Sequence, residues 1–144
     1  MPRRMSDDEW RTFVSAGTRT GKLATVRRDG RPHVVPIWFV LDGEDLVLTT
    51  HERSLKGKAL RRDDRVALCV DDERPPFAFV AIEGRATLVE DPDELLRFST
   101  LIGARYMGGD RAEEFGKRNG VPGELLVRVR PTNVLAQDDV AGYD

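Results

Sequence analysis

The chain trades between short runs in which apolar and polar residues alternate and brief segments with a helical period. Near the start, Ser6-Asp7-Asp8-Glu9 reads as a capping box, whose hydroxyl and carboxylate can satisfy the free amides of a helix start. Trp10, Phe13 and Val14 follow at helical spacing, and Gly17 closes the segment. From Lys22 the period shortens to two. Leu23-Ala24-Thr25-Val26 predicts a strand and Asp29-Gly30 a hairpin turn, since both residues tolerate positive φ. Residues 33–41 predict a long strand, Asp42-Gly43 a second turn and residues 46–50 a third strand. Ser54 predicts the cap of a helix running through Arg62. Residues 66–70 and 77–89 predict two strands separated by a loop at Pro75-Pro76. Asp91-Pro92-Asp93-Glu94 combines an N-cap, a proline at the first helical position and an acidic first turn, opening a helix with Leu95, Leu96, Phe98, Leu101 and Ile102. Another short helix begins at Asp110 and stops near Asn119-Gly120. Residues 125–129 predict a last core strand, followed beyond Pro131 by Val134-Leu135-Ala136 and a polar tail.

Tight turns between successive strands imply antiparallel pairing, and the early strands have no crossover helices between them. The expected fold is mainly β (α+β): six or seven antiparallel strands in a closed or nearly closed barrel with short peripheral helices. One domain is expected over residues 1–144, with an N-terminal helix in 1–17, the barrel and its inserted helices in 20–136, and a tail in 137–144.

Composition narrows the function classes. The 144 residues carry 23 Lys+Arg against 25 Asp+Glu, for a formal charge of −2. That balance argues against a nucleic-acid partner, which relies on uncompensated positive charge. No apolar stretch approaches the roughly 20 residues of a membrane helix, so no membrane partner is expected. The lone Cys69 excludes an internal disulfide, and MPRRMSDDEW has no apolar run behind its basic residues; a cytoplasmic location is expected. His33, His51 and Cys69 share no metal-ligand spacing, so no metal site is expected. No nucleophile elbow, Walker motif or metalloprotease motif is present, and no catalytic residue can be named.

Two places stand out. Pro36, within Val34-Val35-Pro36-Ile37-Trp38-Phe39, cannot donate a ladder hydrogen bond. It marks either a protected edge or a flat surface on which a planar ligand stacks. The second is Thr49-Thr50-His51-Glu52-Arg53-Ser54-Leu55-Lys56-Gly57-Lys58: hydroxyls at a strand end, then cations at a helix start, a setting suited to an anion. Lys58, Arg61, Arg62 and Arg65 share one face, read as solvated charge. Lys56 projects instead between Ala59 and Leu60, in the apolar sector, where a charge is costly without a compensating anion. Lysine is scarce here, with four (Lys22, Lys56, Lys58 and Lys117) among the 23 basic residues, and Lys56 is read as a phosphate ligand.

The order and spacing of several segments resemble the split β-barrel family that includes pyridoxamine 5′-phosphate oxidases, of the FMN-binding split-barrel type. Within it the chain is most similar to small coenzyme-F420-dependent oxidoreductases. The carrying residues are Leu23-Ala24-Thr25, Asp29-Gly30-Arg31-Pro32-His33, Pro36-Ile37-Trp38-Phe39, Thr49-Thr50, Ser54-x-Lys56, Leu60-Arg61-Arg62-Asp63, Ile82-Glu83-Gly84-Arg85-Ala86, Ala104-Arg105-Tyr106 and Pro122-Gly123-Glu124-Leu125. The resemblance implies a homodimer with cofactor clefts at the subunit interface. It implies a deazaflavin ring against Val35, Pro36, Ile37 and Trp38, and a phosphate among Thr49, Thr50, Ser54 and Lys56. Phe77 and Phe79 would reach over from the partner subunit. Arg53 and Lys58 would suit the anionic cofactor tail. Where the family commonly has an Asn before the helix leucine, this chain has Ala59, one polar contact fewer.

The implied activity is hydride transfer between reduced F420 and a C=C or C=N bond of a small substrate, with the cofactor supplying the reactivity. Two alternatives stay open: FMN in the same cleft, making a flavin oxidase or reductase, and a non-catalytic cofactor carrier.

Overall fold

The computed structural model describes residues 2–142; Met1 of the expected 1–17 segment and residues 143–144 of the expected tail lie outside the described residues. The described residues build one antiparallel sheet of eight strands with four helices set around it, one strand more than the upper expectation. In chain order these are β1 (Arg3–Arg4), α1 (Asp7–Ser15), β2 (Gly21–Val26), β3 (Pro32–Ile37), β4 (Val40–Asp42) and β5 (Asp45–His51). Then come α2 (Leu55–Arg62), β6 (Arg65–Asp72), β7 (Ala78–Val89), α3 (Pro92–Met107), a 3-10 turn (Gly109–Arg111), α4 (Ala112–Asn119) and β8 (Glu124–Asp138). The sheet runs β3-β2-β6-β7-β8-β5-β4, with β1 added alongside β8. No helix among the described residues is long and apolar enough to cross a membrane.

The sheet coils into a split barrel without closing. Its two edges, β3 and β4, are neighbours in sequence, joined only by Trp38-Phe39. The single strand expected over residues 33–41 is therefore two. At the joint the ladder is replaced by side chains of α3: the Phe39 amide donates to the Tyr106 hydroxyl (3.3 Å), and the Phe39 carbonyl accepts from Arg105 (2.6 Å). The backbone polar groups stay satisfied while the chain crosses from one edge to the other.

The opposite correction applies to β8, which is one strand and not two. Its inward residues are Leu125, Val127 and Val129, then Val134 and Ala136, so the alternation changes parity midway. The register supplies the reason: Glu83 faces Asn133 but Gly84 faces Pro131, so Thr132 is an extra residue in a β-bulge. Its hydroxyl donates to the Glu83 carbonyl (3.2 Å). Gly84 fits here because a Cβ would lie 2.7 Å from the Arg130 carbonyl oxygen. Two smaller corrections concern ends. Part of the expected N-terminal helical segment is β1, and Phe77 precedes β7, at φ 67° after the cis Pro75-Pro76 bond.

Inside the barrel, Leu23, Ile37, Phe39, Leu46, Leu48, Leu68, Val70, Val80, Ile82 and Val127 pack together, and α1 adds Trp10 and Val14. The capping box of α1 is formed as expected, with Ser6 and Glu9 bonded reciprocally. Outside, α3 lays Leu95 and Phe98 over Val47 and Leu126, a second apolar cluster. The rest of the outer face, along β3, β2, β6 and the far halves of β7 and β8, carries no helix in that cluster.

Candidate functional site

The candidate site forms where the helical cover ends. Pro36, Ile37 and Trp38 from the end of β3, Thr49 from β5, Lys56 from α2, Ile102 from α3, Asn119 from α4 and Glu124 from β8 line a cleft of ≈ 260 Å³. Thus the stretch around Pro36 and the anion-suited segment, about a dozen residues apart in sequence, share one wall.

Each element reaches the cleft for a local reason. β3 is a sheet edge, so Pro36 sits where a missing donor costs the ladder little, and its ring is exposed. Trp38 is held by α3 and α4: its ring stacks on Tyr106 (5.1 Å between centroids, 5° between planes) and lies 6.0 Å from Phe115. Arg105, one residue back, donates to the carbonyls of Val14, Gly17, Arg19 and Phe39 at 2.6–3.3 Å. Burial of this guanidinium pushes its pKa down, and burial pushes the Tyr106 phenol up. Together the pair fixes the joint that aims Trp38.

α2 starts at the end of β5. Ser54 is its N-cap, accepting from the Gly57 amide (3.0 Å) and donating to the His51 carbonyl (2.7 Å). The Thr50 hydroxyl lies 3.0 Å from Ser54 Oγ. The fold therefore uses both hydroxyls to anchor the helix, and Ser54 has no proton left to give an anion. A side chain at Gly57 would strike the His51 carbonyl, so the close seat of α2 depends on glycine. Thr50 is buried and, by strand alternation, faces away from Thr49, which lines the cleft.

Lys56 is half-buried, and neither it nor Thr49 has a side-chain hydrogen-bond or ion-pair partner among the described residues. Across the cleft, burial pushes the Glu124 carboxyl up, against the opposing pull of His51 and Lys56. His51 is the cross-strand neighbour of Glu124, and its Nδ1 accepts from the Arg53 amide (3.0 Å).

The remaining expected residues lie elsewhere. Val35 and Ile37 turn toward the barrel core, although Ile37 also touches the cleft. Arg53 and Lys58 are exposed, and Ala59 is buried beneath α2. On the basic face, Arg61 pairs with Glu52 (3.7 Å) and Arg65 with Asp63 (2.7 Å), in keeping with solvated charge. Phe77 and Phe79 are on the far side of the sheet, Phe77 with 41% of its surface exposed. Sequence reasoning did not single out Glu124, Asn119 or Ile102 as site residues. Glu124 stood in a segment quoted for resemblance, but its position opposite Lys56 depends on β8 pairing with β5.

Comparison with known proteins places this geometry in a family. The profile described as Pyridoxamine 5′-phosphate oxidase matches residues 6–138. The chain belongs to that family, whose members are oxidoreductases of the split-barrel type that bind flavin-like cofactors. A conserved hypothetical protein, Rv2991 from Mycobacterium tuberculosis, superposes with a TM-score of 0.83 at 31% identity, covering 94% of this chain and 86% of that one. A structure named F420 reductase gives a TM-score of 0.67 at 28% identity, over 85% of this chain and 94% of that one. A 5a,11a-dehydrotetracycline/5a,11a-dehydrooxytetracycline reductase from Streptomyces rimosus subsp. rimosus is 43% identical over 56 residues. That match spans 36% of this chain and 39% of the reductase.

Proposed function

We propose that this chain is a cytoplasmic F420-dependent oxidoreductase, in which the bound deazaflavin exchanges a hydride with a C=C or C=N bond of a small substrate. The observation that carries the reading is the shared cleft: an edge strand with an exposed proline beside a half-buried, unpaired lysine. The donor set fits a planar, phosphate-bearing group. Pro36 and Trp38 offer flat apolar surface, the free side of the edge strand offers main-chain groups, and Lys56 and Thr49 offer uncommitted donors for a phosphate. Similarity to the F420 reductase and to the dehydrotetracycline reductase favours reductive chemistry over an oxidase.

The chain's own part is binding, orientation and exclusion of water. At ≈ 260 Å³ the open cleft is smaller than the roughly 300–1,000 Å³ that encloses a cofactor-sized ligand. A second subunit supplies the missing wall in this reading. Its docking surface is the uncovered sheet face, where Val34 (62% exposed) and Leu135 (39% exposed) flank Ala24, Ala67, Cys69 and Ala81 along a groove of ≈ 410 Å³. Burying that apolar strip is favourable at about 25 cal/mol per Å².

Titrating the purified protein with F420 and with FMN, followed by absorbance and fluorescence, tests the cofactor. Tight F420 binding together with oxidation of reduced F420 by enones or imines is expected. Tight FMN with no F420 binding would replace the reading by a flavin enzyme, and F420 binding without turnover by a carrier.

A further inference from the structure

The cleft holds two opposite charges, and their pairing has a consequence for which phosphate it accepts. Lys56 comes from α2 and Glu124 from β8; both are half-buried, and neither side chain has a hydrogen-bond or ion-pair partner among the described residues. The other walls are uncharged: Pro36 from β3, Trp38 from the joint that follows it, Thr49 from β5, Ile102 from α3 and Asn119 from α4. His51 on β5 faces Glu124 across the strand pair, is exposed, and accepts at Nδ1 from the Arg53 amide. With Glu124 ionised, the charges of Lys56 and Glu124 cancel.

We propose that Glu124 is a specificity-determining residue: it opposes a terminal phosphomonoester, with up to two negative charges, more strongly than a phosphodiester, with one, and so removes the advantage that Lys56 would give the monoester. The inference rests on the reading that Lys56 holds the cofactor phosphate. Lys56 attracts and Glu124 repels any anion in the cleft in proportion to the anion's charge, so the carboxylate costs a doubly charged monoester twice what it costs a diester and offsets the extra pull of the lysine. A deazaflavin of the F420 type carries its phosphate as a diester, whereas FMN ends in a monoester. One carboxyl would therefore help set the choice between two cofactors whose rings fit the same bed.

The pH dependence follows in sign. Anion binding favours the protonated carboxyl, and burial already holds Glu124 above the usual carboxylate range, against His51 and Lys56. Affinity for any phosphate therefore falls as pH rises through the Glu124 titration. A monoester loses its second phosphate proton near pH ~6, and the doubled repulsion from Glu124 then meets a doubled attraction to Lys56.

The test uses a matched pair on one ring, deazaflavin 5′-monophosphate and its methyl diester, titrated into the full chain by fluorescence quenching between about pH 5.5 and 8.5, a range chosen to span that step. Wild type should bind the two ligands within about threefold of each other at the alkaline end as at the acid end, because the opposite charges of Lys56 and Glu124 leave a second negative charge little net gain. Glu124→Gln should tighten the monoester by about tenfold and the diester by about threefold at the alkaline end, leaving a preference for the monoester that wild type lacks. Equal changes for the two ligands, or an unchanged preference, would overturn the role of Glu124. Lys56→Ala separates this from failure of the underlying reading. If Lys56→Ala weakens both ligands, the phosphate site stands whatever Glu124→Gln does; if it weakens neither, site and filter fall together.

Discussion

The two halves of the barrel's outer face share β7 and β8 yet are finished differently. Along β5, β4 and the near halves of β7 and β8, the outward residues Val47, Leu126, Val40 and Val89 are capped by Leu95 and Phe98 of α3. Along β3, β2, β6 and the far halves of β7 and β8, the outward residues are Val34, Ala24, Ala67, Cys69, Ala81 and Leu135, and they stand open. The first half is finished within the chain by large side chains. The second leaves Val34 and Leu135 exposed on either side of small residues along the groove. The cleft lies on the seam, taking Pro36 from the open half and Thr49, Ile102 and Glu124 from the covered one.

The largest effect should come from breaking the covered half. Phe98 is 1% exposed, so Phe98→Ala should cost about 3–5 kcal/mol in denaturant unfolding. A loss below about 1 kcal/mol would mean that α3 does not depend on this anchor. The open half should respond in the opposite way. Val34→Glu with Leu135→Glu should leave the unfolding of a single subunit within about 0.5 kcal/mol per site while converting a dimer to monomer in sedimentation. In the monomeric variant Cys69 should also react faster with a maleimide than in wild type, although burial keeps its thiol pushed up in both. A wild type that sediments as a monomer would remove the open half from any interface.

On the seam, Lys56→Ala should weaken cofactor binding by about tenfold or more, equivalent to about 1.4 kcal/mol, with unfolding unchanged. Tyr106→Phe removes a donor to the Arg19 carbonyl (2.8 Å) and the acceptor for the Phe39 amide. About 1 kcal/mol of stability and a shift in tryptophan emission should follow, because Trp38 stacks on that ring. The smallest effect concerns Glu9 of α1, which accepts from Arg3 of β1 and from the Ser6 amide and whose pKa is held down to about 2. A lowered carboxyl contributes stability above its ordinary value near 4.5, lost as pH falls through about 2. Glu9→Gln should make the acid limb of the stability curve flatter; an unchanged limb would show that the exposed pair contributes nothing.

Much of the fold was legible because its signals are local. The capping box at Ser6, the Asp91-Pro92 helix start, the turns at Gly30 and Gly43 and the strand alternation all rest on groups within a few residues of one another. Where local signals misled, distant residues had intervened. Residues 33–41 form an unbroken β-rich run, but Arg105 and Tyr106 take the place of ladder partners at Phe39. Pro131 looked like the end of a strand, yet the bulge at Thr132 absorbs it, and the parity change from Val129 to Val134 was the only trace in sequence.

The site divides the same way. Sequence alone marked Pro36 and Lys56, because a proline in a β run and a charge in an apolar helical sector are each locally expensive. It could not show that Ser54 and Thr50 are already committed to capping α2, nor that Thr49 and not Thr50 faces the cleft. Least of all could it place Glu124 opposite Lys56, 68 positions away in sequence. That meeting depends on β8 returning beside β5, and electrostatic pairing depends on distance in space. Sequence determined which residues are costly to leave alone; tertiary structure decided which of them were already answered for.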